Sequence, residues 1–439
     1  MNELKLLYTL ALGLLAGLFV SRLVKPLKLP AVTGYLIAGL LIGPYCLGRL
    51  GITGFFSTGE ELASIASIVS DVALGFIAFA IGTEFKLSAL KHTGKQAVII
   101  GIVQALAAML LVDGALIGLH YVLGPEKLPL SVAVTLGAVA TATAPAATLM
   151  VVKQYKAKGP LTSILLPVVA LDDAVGLVCF AASIGVAQAL EGSKINPISV
   201  VVNPLLEVVL SLALGAIMGF LFTAVENMFK SNSKRLCLSI TFVLFTIALS
   251  QLKFDLPGGV KIGFSSLLVC MMLGTIFCNI CPSADELMYK TDRWTMPLNI
   301  LFFVVSGAAL ELDVFGSLAV VVVGVCYIIF RSAGKYIGSY LSAKATGCSH
   351  SITKYLGITL LPQAGVSIGM SITAAALLKN GGTVRNIVLF AVLIYELVGP
   401  LLTKIALTKA GDITPKIEPK HHLTPAQVFA DEEDEEDIK

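Results

Sequence analysis

Thirteen apolar runs fall at about 4–20, 30–44, 61–82, 96–120, 130–151, 160–190, 199–224, 236–252, 262–281, 295–311, 315–343, 353–378 and 385–408. Most are long enough to cross about 30 Å of hydrocarbon. Segments in lipid must satisfy their backbone polar groups internally, and a helix does so without a neighbour. The expected fold is therefore an all-α polytopic membrane protein with about 13 transmembrane helices. Composition agrees, because 56% of the 439 residues are hydrophobic and only 13% are charged. A soluble domain carries about 25% charged residues. The net charge of +3 gives no ground for a nucleic-acid partner. Arg22, Lys25 and Lys28 follow the first run rather than precede it. That pattern favours an uncleaved helix with its N-terminus outside over a signal peptide.

Loop charges test the count. Alternate loops, beginning with the one after the first run, hold 16 Lys and Arg, and the opposite set holds 8. The positive-inside rule then places the first set, and the C-terminus, in the cytoplasm. The membrane part is expected over 1–410. A polar tail over 411–439 ends in DEEDEED and is expected to be disordered.

Two runs carry internal breakers. The fifth holds Pro145 among Thr141, Thr143 and Thr148; the twelfth holds Pro362, Gln363 and Gly365. Proline removes a backbone donor and clashes with the preceding turn. Such breaks in a membrane are tolerated when buried or lining a wet cavity. The two runs are seven apart, so they cross in opposite directions. Broken helices at matching places in inverted halves point to a transporter's substrate site.

The ionisable residues left inside runs sharpen this. Asp172 and Asp173 are the only charges between Gly159 and Leu190. Each costs roughly 2.5–3.5 kcal/mol at a helix centre on insertion scales. A structural ion pair needs only one acid. Neighbours on a helix point about 100° apart, so one carboxylate can face a cavity while the other meets a cation. Arg331 and Lys335, spaced i, i+4 in the eleventh run, share a helix face. Such a site can exchange protons or hold a hard monovalent cation through its oxygens, the two competing. Asp173 and Asp172 are the expected ion ligands, with Thr143 beside the Pro145 break.

Weaker candidates are Asp71, Asp113, Glu207 and Glu396 inside runs, and Glu84 and Glu226 at run ends. Glu396 is a candidate for structural pairing near the core. The five histidines (His92, His120, His350, His421 and His422) fall in or beside loops and are not expected ligands. Cys278 and Cys281 form a C-x-x-C without a partner pair. No phosphate loop or dinucleotide fingerprint occurs, so no P-loop ATP-driven pump and no nucleotide cofactor is expected.

At this point the chain resembles a known family, the monovalent cation:proton antiporters of the sodium/proton exchanger superfamily, in their bacterial diaspartate electrogenic branch. The resemblance covers about 5–410. It rests on LPAVTGYLIAGLLIGP at 29–44, LGFIAFAIGTEF at 74–85, ATATAPAAT at 140–148, VVALDDAVGL at 168–177, PLNILFFVVSGAALEL at 297–312, FRSAGKYIGSYL at 330–341 and LLPQAGVSIGM at 360–370. It implies inverted repeats with two crossed discontinuous helices, and a core domain around spans 4–6 and 11–13. A dimerisation part around spans 1–3 and 8–10 would form a homodimer in the bacterial plasma membrane. It also implies that Asp173 binds ion and proton while Asp172 pairs with a base in the eleventh span. Arg331 and Lys335 both qualify; Arg331, deeper in the span, is favoured. An arginine there departs from the lysine typical of electrogenic members, and arginine does not release its proton. The expected activity is Na⁺(Li⁺)/H⁺ exchange by alternating access. K⁺/H⁺ exchange on the same fold is the alternative; a cation channel or an organic-solute symporter is the alternative of another class.

Overall fold

The computed structural model describes residues 3–27, 29–50, 59–83, 85, 87–192, 202–256, 260–309 and 318–413. Glu84 and the acidic stretch from 414 onward lie outside the described residues. Fifteen α-helices occur among the described residues. Among the described residues, each apolar run is mainly one helix or, at the two proline breaks, a pair of helices. They are α1 (Glu3–Val24), α2 (Ala31–Ile42), α3 (Gly59–Thr83), α4 (Leu87–Leu123), α5 (Leu130–Val139), α6 (Pro145–Gln154), α7 (Pro160–Leu190) and α8 (Asn203–Glu226). Then come α9 (Asn232–Ser250), α10 (Ser266–Ile280), α11 (Ala284–Ala308), α12 (Leu318–Ala345), α13 (His350–Thr359), α14 (Gly365–Leu377) and α15 (Gly381–Ala410). Among the described residues, seven helices are long and apolar enough to cross a membrane on length and composition alone. A feature not expected from the sequence is an antiparallel pair of three-residue strands, β1 (Phe254–Leu256) and β2 (Val260–Ile262), between α9 and α10.

The helices pack as two groups. One holds α1–α3 and α8–α11; the other holds α4–α7 and α12–α15. The groups meet along a thinner seam, where α3 and α2 touch α6, α2 touches α15, and α7 touches α8. Within the first group several helix pairs come to backbone contact. A Cβ on Gly39 of α2 would overlap the Val304 carbonyl of α11, and one on Gly307 would overlap the Leu36 carbonyl. Gly82 against Met271 and Gly274 against Phe79 repeat this between α3 and α10. Outward faces carry large exposed apolar side chains, among them Leu18 and Phe19 on α1, Leu110 on α4, Phe220 on α8 and Ile337 on α12. Lipid-facing surfaces have this character.

In the second group the chain is built twice over. A ten-residue helix, a five-residue break and a second short helix lead into a long helix: α5, 140–144, α6, α7, and again α13, 360–364, α14, α15. Pro145 takes the first position of α6, after Ala144 in extended conformation. That is where the missing N–H costs nothing and where the preceding residue is driven out of the helical region.

The long helices α7 and α15 are antiparallel and clasped at both ends. Glu191, which ends α7, accepts from the Lys379 N–H (2.8 Å) just before α15 and from the Ser131 hydroxyl of α5 (2.9 Å). Asp412, just past α15, accepts from the Thr162 N–H (2.6 Å) and hydroxyl (2.7 Å) in the first turn of α7. Each acid caps orphan N–H groups near the other helix's start. Partial burial works against the Glu191 carboxylate. The Lys379 N–H, the Ser131 hydroxyl, the Asn380 N–H and the Lys379 charge outweigh it and hold the group below its ordinary value.

Candidate functional site

The two five-residue breaks touch. Ala144 N–H donates to the Pro362 carbonyl at 2.9 Å. Each break strands carbonyls at the C-terminal end of a short helix, where the backbone dipoles leave negative charge. Arg331 of α12 meets both. Its Nε donates to the Ala140 carbonyl (3.1 Å), one terminal nitrogen to Ala142 (2.6 Å) and the other to Leu361 (2.8 Å). The guanidinium also lies 4.5 Å from the centre of the Tyr395 ring and is fully buried. Gln363 adds a second tie: its amide nitrogen reaches the Val139 carbonyl (3.2 Å) and the Tyr327 hydroxyl (2.7 Å). Pro362 and Gly365 bound the second break; Gly365 opens α14.

Lys335 lies one turn further along α12 and reaches the acid. Its Nζ donates to Asp172 Oδ2 (2.9 Å), the Thr141 carbonyl (2.5 Å) and the Thr143 hydroxyl (2.9 Å). An ammonium has three protons, and all three are used. This corrects the expectation that favoured Arg331. The stranded carbonyls of the two breaks take up the guanidinium, and the lysine is left for the carboxylate.

Asp172, fully buried, also accepts from the Thr143 hydroxyl at 2.5 Å and from the Gln104 amide of α4. Thr143 therefore sits inside the Asp172 clamp, donating to the acid and accepting from the lysine. Asp173 differs. It is 5% exposed, forms no ion pair among the described residues, and its Oδ1 has no hydrogen-bond partner. Ala170 and Leu166, one and two turns earlier on its side of α7, pack in a cluster with Ala73 and Ile77 of α3, Ala147 of α6 and Phe303 of α11. Asp173 thus lies on the same side of α7 as the residues packed in that cluster. A buried carboxylate oxygen without a partner fits a hard cation or a proton.

The weaker candidates separate cleanly. Glu226 is buried and paired with Arg235 at 3.0 Å and with the Ser283 hydroxyl at 2.8 Å, a structural arrangement. Cys278 donates its thiol to the Thr275 carbonyl, and Cys281 donates to Glu226. Asp71 is exposed on α3 and Glu207 half-buried on α8. Glu396 is buried in α15, and its Oε2 has no partner. Asp113 Oδ1 likewise has none and lies against Gly137. Neither joins the Asp172 clamp. Gln104 and Tyr327 belong to the site and were not singled out from sequence, and Thr141 was noted at the break but not as a site residue; a polar amide mid-run was the one available signal for Gln104. Among the described residues, no group of three His, Cys, Asp or Glu could hold a metal ion.

Comparison with known proteins agrees with this architecture. The sodium/hydrogen exchanger transmembrane family model matches residues 11–409. The chain belongs to the sodium/hydrogen exchanger family. Its fold resembles that of the sodium proton antiporter MjNhaP1 of Methanocaldococcus jannaschii, with a TM-score of 0.68 at 17% identity, covering 93% of this chain and 98% of that one. An electron-microscopy structure of the same protein gives 0.72 at 19% identity, covering 97% and 100%. Among curated relatives, the K(+)/H(+) antiporter subunit KhtU of Bacillus subtilis is 21% identical over 403 residues, 91% of this chain and 93% of KhtU. Cation/H(+) antiporter 19 of Arabidopsis thaliana is 33% identical over 78 residues, 18% of this chain, and the match spans only 10% of that longer protein.

Proposed function

We propose that this protein exchanges a monovalent cation, Na⁺ with Li⁺ as surrogate, for protons across a bacterial plasma membrane, with ion and proton competing for Asp173. The observation that carries the reading is the contrast between the two neighbouring acids. Asp172 is held by Lys335, Thr143 and Gln104. Asp173 keeps a buried oxygen free. A cation arriving at Asp173 replaces its proton. The same cation weakens the hold on the Lys335 proton, and a buried lysine can release it where an arginine cannot. Two protons per cation make the exchange electrogenic. In this reading the helices cross thirteen times, the N-terminus is outside and the basic loops are cytoplasmic. The α4–α7 and α12–α15 group is the moving core, and the α1–α3 and α8–α11 group forms a homodimer.

K⁺/H⁺ exchange is the second reading, favoured by the full-length match to a relative named as a K(+)/H(+) antiporter subunit. The deciding experiment is proton flux in proteoliposomes with Na⁺, Li⁺ and K⁺ supplied one at a time. Flux with Na⁺ and Li⁺ but not K⁺ supports the first reading; the reverse supports the second. No flux with any of them overturns both.

A further inference from the structure

A second polar feature lies outside the Asp172 clamp, on the seam between the helix groups. Lys153, in the last turn of α6, pairs with Asp292 of α11, Nζ to Oδ1 2.6 Å. The pair joins the two groups, and about a third of each side chain is exposed. It stands at the mouth of a crevice also lined by Thr295, Asn299, Phe76 and Leu149. Asp292, Thr295 and Asn299 are spaced three and four residues apart, so they form one stripe of oxygens along α11. The stripe runs about 10 Å inward from the pair, at 1.5 Å per residue. At its inner end Asn299 Oδ1 is buried and has no hydrogen-bond partner. One turn beyond, Phe302 and Phe303 are packed in the same apolar cluster as Ala170 and Leu166, on the Asp173 side of α7. The crevice has about 10 Å³ of free volume, the room one water needs.

We propose that this crevice is the mouth of the ion path on the face that carries the basic loops. Asp292, Thr295 and Asn299 offer oxygens there to a hard monovalent cation, and Lys153 fills and closes the mouth in this state. The inference rests on the exchange reading above and adds a station and a gate to it. Three features support it together: the lysine bridges the two helix groups, the oxygens share one face, and that face leads to the apolar cluster holding Ala170 and Leu166, one and two turns from Asp173 on α7. A partly exposed pair is weak, so it can open and close within each turnover. An arriving cation substitutes for the ammonium at Asp292, and opening the seam carries it past the phenylalanines.

The test uses the full chain in vesicles, with Na⁺ and then K⁺ presented at the face bearing the basic loops. Lys153→Gln frees the Asp292 carboxylate and is expected to lower the apparent cation constant at that face three- to tenfold. Asp292→Asn is expected to raise it by at least threefold. Shifts in the same direction, or no shift in either variant, overturn the proposal, because a mere strut between groups loses the same support from either end. A second readout needs no transport. Asn299→Cys, labelled by a charged thiol reagent and measured above the unsubstituted protein's own labelling, is expected to react at least fivefold faster when combined with Lys153→Gln. Equal labelling overturns the gate. Loss of all cation-driven flux in the unsubstituted protein would instead sink the exchange reading, and the labelling comparison still decides whether the pair closes the crevice.

Discussion

Lys335 holds Asp172 with one of its three ammonium protons and commits the other two to Thr141 and Thr143, at the first break. The acid and the broken helix therefore share one cation. Removing one partner of a buried pair costs about 3–5 kcal/mol, because the remaining charge is left without compensation. Lys335→Gln should lower thermal stability in detergent on that scale and abolish exchange. A Lys335 variant as heat-stable as the unsubstituted protein would show that the pair is not bearing load.

Lys335→Arg separates charge from proton release. The guanidinium keeps Asp172 paired but does not deprotonate. Exchange should persist at reduced rate and become electroneutral. An imposed membrane potential, at equal pH and equal Na⁺ on both sides, should drive net sodium movement in the unsubstituted protein and none in Lys335→Arg. Potential-driven movement in both would remove Lys335 from the proton stoichiometry.

Asp173→Asn should abolish exchange at little structural cost. Its Oδ1 has no hydrogen-bond partner to lose, and a neutral amide is easier to bury than a carboxylate. The expected pair of results is no cation-driven proton flux and a melting temperature equal to or above the parent's. Normal flux would refute the site.

Thr143→Val removes the hydroxyl that both donates to Asp172 and accepts from Lys335. Leaving a buried donor unpaired costs about 1–3 kcal/mol. Thr143→Ser should restore most of it. Apparent cation affinity should fall several-fold in the valine variant, read from the Na⁺ dependence of proton flux. An unchanged Na⁺ dependence would confine Thr143 to packing.

The outer clasp has a pH signature. The Glu191 pKa is depressed in the fold. Its stabilisation is therefore present above the ordinary glutamate value of about 4.3 and is lost as pH falls through the lower, folded value. Glu191→Gln should match the parent in strong acid and be less heat-stable than it near neutrality. The check is melting temperature against pH; a gap that widens in acid reverses the sign and rejects the clasp.

The breaks were legible because Pro145 and Pro362 each interrupt an apolar run amid small and polar residues. The acids were legible because nothing else between Gly159 and Leu190 is charged. The choice between Arg331 and Lys335 was not legible. Both lie on one helix face a turn apart, and the choice depends on where the stranded carbonyls of two other helices end up. Gln104 escaped notice because an uncharged amide in an apolar run does not stand out. The clasps join positions 188 and 250 residues apart, and no local pattern announces such a pairing.

The backbone contacts at Gly39 and Gly307, and at Gly82 and Gly274, bear on how this sequence tolerates change. At those four positions the glycine faces main-chain atoms of the partner helix, so the local approach is set by backbone rather than by a side chain that could be trimmed. A neighbouring leucine can give way to methionine and the interior can readjust. At these four positions even one added methyl group must push two helices apart. Randomising them together and selecting for folded protein should return glycine at all four, while the lipid-facing positions between them drift freely among apolar residues.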